Sequence, residues 1–472
     1  MEKCRYIALT DINPARFPWT EKDDIQSLMR LLLYANEVDI EGIVLCSSCF
    51  LKRGGGRGAE KIVQNMLDAY AAAKPNLDRH ASGYPEADAL RARVNIGIPA
   101  FGQAPGRGFA AKRYNNNPGV QCIIRAVDAP DPRPVWVGLW GGANTLAQAI
   151  WQVSRTRSEA ELKHFLHKLR ILSISDQDNS AAWIRKNWGN DLFYRVDPSQ
   201  GTMQGTKAYC HAVWPGISGD HFQHGSEDGI HDGGFTGADE EVFSEPWLDE
   251  HIRTVGLLGA CYPKTVYMAE GDTPAFLSLL PNGLNRPEQP ELGGWAGRYA
   301  QTIGPEQTPI WSGAADTVTG KDDKQHTSPQ AGLWRWRTDF QNEFTARMQW
   351  TVQPDSARCT HPPQIRFQGE TPDGRYAGRS VVLDASPSCS PDGEPLTFRW
   401  FWYTELCSKA VLPTLTQTAP GCITVTMQEE GSFHLVLAVR GERAPYIARY
   451  ARLELTFQKE NQDSDIIIIK TI

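Results

Sequence analysis

The feature that most constrains this chain is a unit that recurs along its N-terminal half. A short apolar run is followed directly by polar residues, and then by sequence with a helical period. Tyr6–Thr10 leads to Asp11, and Ile43–Cys46 leads to Ser47 and Ser48. Pro134–Leu139 runs into Trp140-Gly141-Gly142, and Leu169–Ile174 into Ser175-Asp176-Gln177-Asp178-Asn179. Apolar runs without alternation are strands buried on both faces, and strand–helix repetition marks a parallel sheet covered by helices. The expected fold class is α/β, a mostly parallel central sheet flanked by helices. Ligands bind such sheets at the carboxyl ends of the strands, where these polar residues gather.

Charge is densest at the first of these corners. Asp11 ends a strand, and Asp23-Asp24 opens a segment in which Leu28, Leu31, Leu32 and Leu33 keep the helical period. Strand end and helix start together would bring three carboxylates to one place. Close carboxylates repel and need protons, hydrogen bonds or a cation. All-oxygen donors suit Ca²⁺ or Mg²⁺. The structural alternative is that Asp23 or Asp24 caps the helix and complements its dipole.

Other motifs are weaker. Gly106-Arg107-Gly108 lacks the strand-before, helix-after context of a phosphate loop. Cys46-Ser47-Ser48-Cys49 has no second cysteine pair near it, so packed thiols are expected rather than zinc. His211, His221, His224 and His231 lack zinc spacing, and their loop-rich stretch, residues 197–250, reads as a lid or substrate loop. A late strand is expected over 263–269, ending in Glu270-Gly271-Asp272. The segment with Asn282 and Trp295 is rich in Gly and Trp; it could wrap a sugar-like ligand or form a tight structural turn.

Pro362-Pro363 signals a linker. Beyond it, alternating runs at 380–383, 396–403, 422–426 and 432–439 are separated by turns such as Pro391-Asp392-Gly393. They predict an all-β sandwich, giving domains over 1–353 and 354–472. The net charge of −7 gives no basic footprint for a nucleic-acid polymer. No apolar run reaches the roughly 20 residues needed to span a bilayer.

Several blocks in order resemble the nucleoside-hydrolase-like family of cellulose-binding proteins, itself related to inosine/uridine-type nucleoside hydrolases. They are Thr10-Asp11-Ile12, Asp23–Leu28 with Arg30–Tyr34, Asp39-Ile40-Glu41-Gly42, Ser173–Asp178 with Trp183-Ile184-Arg185, and Glu270–Pro274 through Pro281–Leu284. Arg379–Tyr403 resembles the immunoglobulin-like domain that follows in such proteins. The resemblance implies a Ca²⁺, with Mg²⁺ less suited, held by Asp11, Asp24, the Trp140 carbonyl and Asp272. It implies that Asp11 deprotonates a metal-held water attacking the anomeric carbon of a sugar, with Asp23 binding that water or a sugar hydroxyl. Ser47, Ser48, Asp176, Gln177, Asp178, Asn179, Asn282 and Trp295 are the candidates for substrate contacts. Glu270 is the candidate leaving-group acid, because Gly271 stands where many nucleoside hydrolases carry a histidine. The loop bearing Pro14–Trp19 is also longer than in those enzymes.

The expected function is hydrolysis of N- or O-glycosidic bonds in a small sugar or glycoside, with a polysaccharide also compatible. A non-catalytic polysaccharide-binding protein on the same fold is the alternative, and a Mg²⁺ phosphohydrolase lacks a phosphate loop to support it. Met1–Arg5 lead straight into the first strand, so a cytoplasmic address is expected, although such relatives are often exported. No membrane partner is expected, and a homo-oligomer is left open.

Overall fold

The computed structural model describes residues 2–13, 21–54, 56–102, 108–196, 217, 241–265, 269–369, 380–427, 429–457 and 470–471. The histidine-bearing stretch with His211, His221, His224 and His231, the Pro14–Trp19 insertion and Gly106-Arg107 lie outside them.

The chain divides into two units. The first takes residues 1–280, 286–337 and 348–354; the second takes 281–285, 338–347 and 355–472. The first is built on an eight-stranded sheet. Its strands are β1 (Cys4–Thr10), β2 (Val38–Leu45), β3 (Val94–Ile96), β4 (Val135–Leu139), β5 (Leu169–Ser173), β6 (Phe193–Val196), β7 (Arg298–Ile303) and β8 (Pro309–Ala314), in the order β3-β2-β1-β4-β5-β6-β8-β7. All neighbours pair in parallel except β7 with β8. The expected parallel sheet is therefore present, with an antiparallel edge.

Strand parity explains why the central runs are apolar throughout. Ile7 and Leu9 of β1 join Val137, Leu139 and Ile171 in a buried cluster with Val120, Ile123, Leu146, Ile150, Phe165 and Ile184. The last six come from helices α4 (Pro118–Asp128), α5 (Asn144–Thr156), α6 (Glu159–His167) and α7 (Ser180–Trp188), which follow α1 (Lys22–Leu33), α2 (Gly56–His80) and α3 (Ala87–Arg91). Tyr6 and Ala8 point to the other face and are equally buried. The helix starts are locally encoded. Asn117 caps α4 by accepting from Val120 N, with Pro118 in the first turn. Ser158 and Glu161 form a capping box on α6.

The order of the strands matters most for function. From β1 the chain winds outward through β2 and β3, then returns to the other flank of β1 with β4 and winds away through β5 and β6. The winding reverses between β1 and β4, and that crevice is where open parallel sheets bind ligands.

The second unit holds two antiparallel sheets, with residues 380–384, 422–426 and 414–419 in one and 396–402, 431–441, 449–457 and 470–471 in the other. Val381, Leu383, Ile423 and Val425 from the first pack with Phe433, Leu435, Leu453 and Leu455 from the second. This is a sandwich, as expected. The unit also recruits the middle of the helix Arg337–Trp350, where Glu343 pairs with Arg449 and Asp339 accepts from Tyr446 and Tyr450.

One expected element differs. Residues 263–265 and 269 form no strand, and 266–268 lie outside the described residues. The nine cysteines among the described residues are free thiols, Cys46 and Cys49 included. Among the described residues no helix is long and apolar enough to cross a membrane.

Candidate active site

Asp11 directly follows β1 and Trp140 directly follows β4, so both stand at the reversal between those strands. Trp140 N and Gly141 N both donate to Leu9 O, at 2.8 and 3.1 Å. This pulls the turn after β4 tightly against the end of β1. The turn needs glycine for room. A Cβ on Gly141 would stand 2.8 Å from Asp11 Oδ1, and one on Gly142 would stand 2.5 Å from both Asp178 Oδ2 and Ser47 O.

Helix α1 supplies more acid to the same corner. The carboxylates fall into two sets, Asp11–Glu21–Asp24 and Asp23–Asp24–Asp272, each with ligand atoms within 4.8 Å of one another. Asp11, Asp24 and Asp272 are buried; Glu21 and Asp23 are half-buried. Glu21 sits at the N-cap of α1, yet no side chain caps the helix. Helix capping therefore does not account for this run of acids. The sequence reading passed over Glu21; its signal was an acid two residues before Asp23, at the helix start.

Among the described residues, no hydrogen bond is made to either oxygen of Asp11 or to Oδ2 of Asp272. Ser48 Oγ accepts from Phe50 N and Leu51 N, which leaves its proton free to point at Asp11 and temper the effect of burial there. Thr10 Oγ1 donates to Asp24 Oδ1, and Ser27 Oγ accepts from Asp272 N at 3.3 Å. Among the described residues none of the five acids forms an ion pair.

Burial pushes Asp11 up to about 7, with the charge of Asp23 adding to it, and burial pushes Asp23 to about 6. Asp24 is raised well above the usual carboxylate range by burial and then by Asp11 and Asp23, and Asp272 by burial and then by Asp24, Asp23, Asp11 and Glu21. Glu21 is raised by burial and by Asp11, Asp23 and Asp24. A carboxyl raised above its unfolded value of about 4 binds protons on folding. Its contribution to stability is complete below about pH 4 and is lost as pH rises through its folded pKa. Thermal melts in chelator are therefore expected to show stability falling between about pH 5 and 7.5, with millimolar Ca²⁺ reversing most of the fall. A flat profile in chelator would contradict the burial of these charges.

Glu270, the expected leaving-group acid, has another role. Arg30 Nε and Nη2 grip its two oxygens at 2.5 and 2.8 Å, both side chains fully buried. Tyr262 Oη donates at 2.9 Å and Thr273 Oγ1 at 2.6 Å. With every lone-pair direction engaged, Glu270 is a structural acceptor and not a proton donor. Gln26 Oε1 accepts from Glu270 N at 2.8 Å, and Glu270 holds a left-handed backbone with φ of 52°. Gln26, Ser27 and Arg30 of α1 thus clamp the segment that carries Asp272, while Asp23 and Asp24 of the same helix face it across the acid corner.

Four further expectations are corrected by what the side chains touch. Asp176 is fully buried against Arg185, at 2.9 and 2.6 Å, and Arg185 also pairs with Glu306. Ser47 Oγ donates to Ala100 O and accepts from Asn144 Nδ2. Asn282 belongs to the second unit, where its Oδ1 accepts from Leu284 N and Asn285 N in a turn. Trp295 is 0% exposed and packs in the interior, so it offers no face for stacking.

Gln177 does reach the corner. Its Nε2 donates to Trp140 O at 2.6 Å, which leaves that carbonyl a second lone pair, and its buried Oε1 has no donor among the described residues. Flipping the amide would set two acceptors against each other, so the orientation is determined. Asp178 accepts from Asn144 N and Ser180 N, and burial raises it to about 6. Asn179 is half-buried beside it, with Oδ1 against Gly102.

Residues 5–299 match the family described as cellulose-binding Sde182, nucleoside hydrolase-like domain. Residues 380–457 match the family described as cellulose-binding protein Sde0182, C-terminal domain. A solved structure, described as a nucleoside hydrolase-related hypothetical protein from Saccharophagus degradans associated with carbohydrate metabolism, is 30% identical. The similarity covers 97% of this chain and 100% of that one, with a TM-score of 0.73. No curated protein matches the chain. With the sheet, its reversal point and both matched regions in agreement, the chain belongs to the cellulose-binding Sde182 family, whose N-terminal domain is nucleoside hydrolase-like.

Proposed function

We propose that this protein is a Ca²⁺-dependent hydrolase of N- or O-glycosidic bonds in a sugar-containing substrate. The observation that supports this most is the set of buried carboxylate oxygens at the sheet reversal, on Asp11 and Asp272, that make no hydrogen bond among the described residues. A buried charge left without a partner is costly, and a bound cation removes that cost. The donors fit the ion. Ca²⁺ takes oxygen ligands at about 2.3–2.6 Å, so its ligands lie no more than about 5 Å apart; Asp11 with Asp24, and Asp24 with Asp272, each meet that limit.

Asp11, Asp24, Asp272 and the Trp140 carbonyl are the residues that would hold Ca²⁺. When bound, the ion supplies positive charge that acidifies water and orients a sugar diol. Asp11 accepts the proton of the water that attacks the anomeric carbon, acting as the general base. Asp23 hydrogen-bonds that water or a sugar hydroxyl. Gln177 steadies the Trp140 carbonyl and turns Oε1 toward a sugar hydroxyl, with Asp178 and Asn179 beside it. Positive charge developing on the sugar ring is stabilised by the surrounding carboxylates.

The test is a hydrolysis screen of nucleosides, aryl furanosides and aryl pyranosides with and without chelator. Release from at least one class in Ca²⁺, and none in chelator, is expected. A second reading, a carbohydrate-binding protein without catalysis, is favoured by the family's description as cellulose-binding. Release from no class, with polysaccharide binding that survives chelator, would put that reading in its place.

A further inference from the structure

Resting on the Ca²⁺ reading above, we propose that Glu270 is a positioning residue for the cation ligand Asp272, held in place by Arg30. The backbone points there first. Glu270 has a φ of 52°, in the left-handed region that residues other than glycine seldom enter. Such a conformation is costly and persists where surrounding contacts over-determine it, as they do at ligand clamps. Here the contacts come through side chain and backbone together. Arg30 takes both carboxylate oxygens in a bidentate grip, Tyr262 and Thr273 donate to them, and Glu270 N donates to Gln26 Oε1.

The strained residue stands two positions before Asp272. Asp272 N donates to Ser27 Oγ, and Asp272 O accepts from Ala275 N, so its backbone is fixed as well. Its carboxylate is different: Oδ2 is buried and makes no hydrogen bond among the described residues. That oxygen is aimed by the backbone beneath it and not held by a partner of its own. Gln26, Ser27 and Arg30 all belong to α1, which also carries Asp23 and Asp24. Acids from distant parts of the chain are thereby set in one frame, with ligand atoms within 4.8 Å. Groups that orient a metal ligand without touching the metal are worth about 10–100-fold in metal affinity.

The experiment is calorimetric titration of Ca²⁺ into the full-length, chelator-stripped protein, at a temperature where circular dichroism shows the variants folded. Glu270→Gln is expected to bind Ca²⁺ about 10–100-fold more weakly than the parent. Glu343→Gln weakens a buried acid–guanidinium pairing in the second unit; it is expected to lower the melting temperature and leave the affinity unchanged. The double variant Arg30→Met with Glu270→Gln removes both charges. Its melting temperature is expected to recover in part while its affinity stays low, and it carries the test if the single variant does not fold. Parental affinity in Glu270→Gln or in the double variant overturns the inference and leaves the Ca²⁺ reading standing. An equal loss in Glu343→Gln overturns it too, because lost stability alone would then account for the effect. No Ca²⁺ binding by the parent overturns both.

Discussion

Asp11→Asn is expected to move activity and stability in opposite directions. Turnover should fall by about 10²–10⁴-fold, the contribution of one well-placed general base, with loss of Ca²⁺ affinity adding to it. In chelator at pH 8, the same variant should melt above the parent. The reason is the sign of the linkage. Burial raises Asp11 to about 7, so at pH 8 the parent must keep an ionised carboxylate in its interior. The amide carries no such charge. Below about pH 5, where the parent carboxyl is protonated in the fold, the two melting temperatures should converge. Adding Ca²⁺ should then stabilise the parent, by about 2.7 kcal/mol at one hundred times the dissociation constant, and the variant far less. Activity assays with melts at pH 5 and 8 check all of this. A fully active variant, or one less stable than the parent in chelator at pH 8, would remove Asp11 from the role proposed for it.

Arg30→Ala is expected to be the most destabilising single change near the site. It strands Glu270 as an unpaired charge with 0% side-chain exposure, and breaking a buried pair from one side costs about 3–5 kcal/mol. Tyr262 and Thr273 would still donate to Glu270, which sets the loss toward the lower end. Replacing both charges, with Arg30→Met and Glu270→Gln, keeps an acceptor for one of those hydroxyls and should recover about half of the loss or more. Urea denaturation of the parent, the single variant and the double variant reads this directly. A single variant within about 1 kcal/mol of the parent would place the pair among ordinary surface ion pairs.

The sheet was legible in the sequence because its central strands are buried on both faces and alternate with helices of clear period. β1, β2, β4 and β5 could be placed to within a few residues on that basis. The strands from Phe193 to Ser328 were not. They are four to six residues long, and Arg298–Ile303 is largely exposed, so they leave no sustained apolar run to read. The acid corner was legible in part, since Asp11 and Asp23-Asp24 flank one strand-to-helix connection. What remained hidden was pairing across the fold. An acid after a strand looks the same in sequence whether it faces a ligand or a guanidinium. Arg30 and Glu270 are 240 positions apart, and nothing local marks them as partners. Asp176 was misread for the same reason: Arg185, nine residues on, belongs to the following helix and returns to grip it. Trp295 shows the converse error, because a Trp among glycines marks a buried ring in a tight turn as readily as an exposed platform.

The two glycines after β4 have a consequence for how this pocket can diversify. Any missense change at codon 141 or 142 adds a Cβ, which would drive into Asp11 in one case and into Asp178 and the Ser47 carbonyl in the other. The floor of the crevice is closed to gradual mutation. Variation around this corner is therefore expected in the loops at its rim.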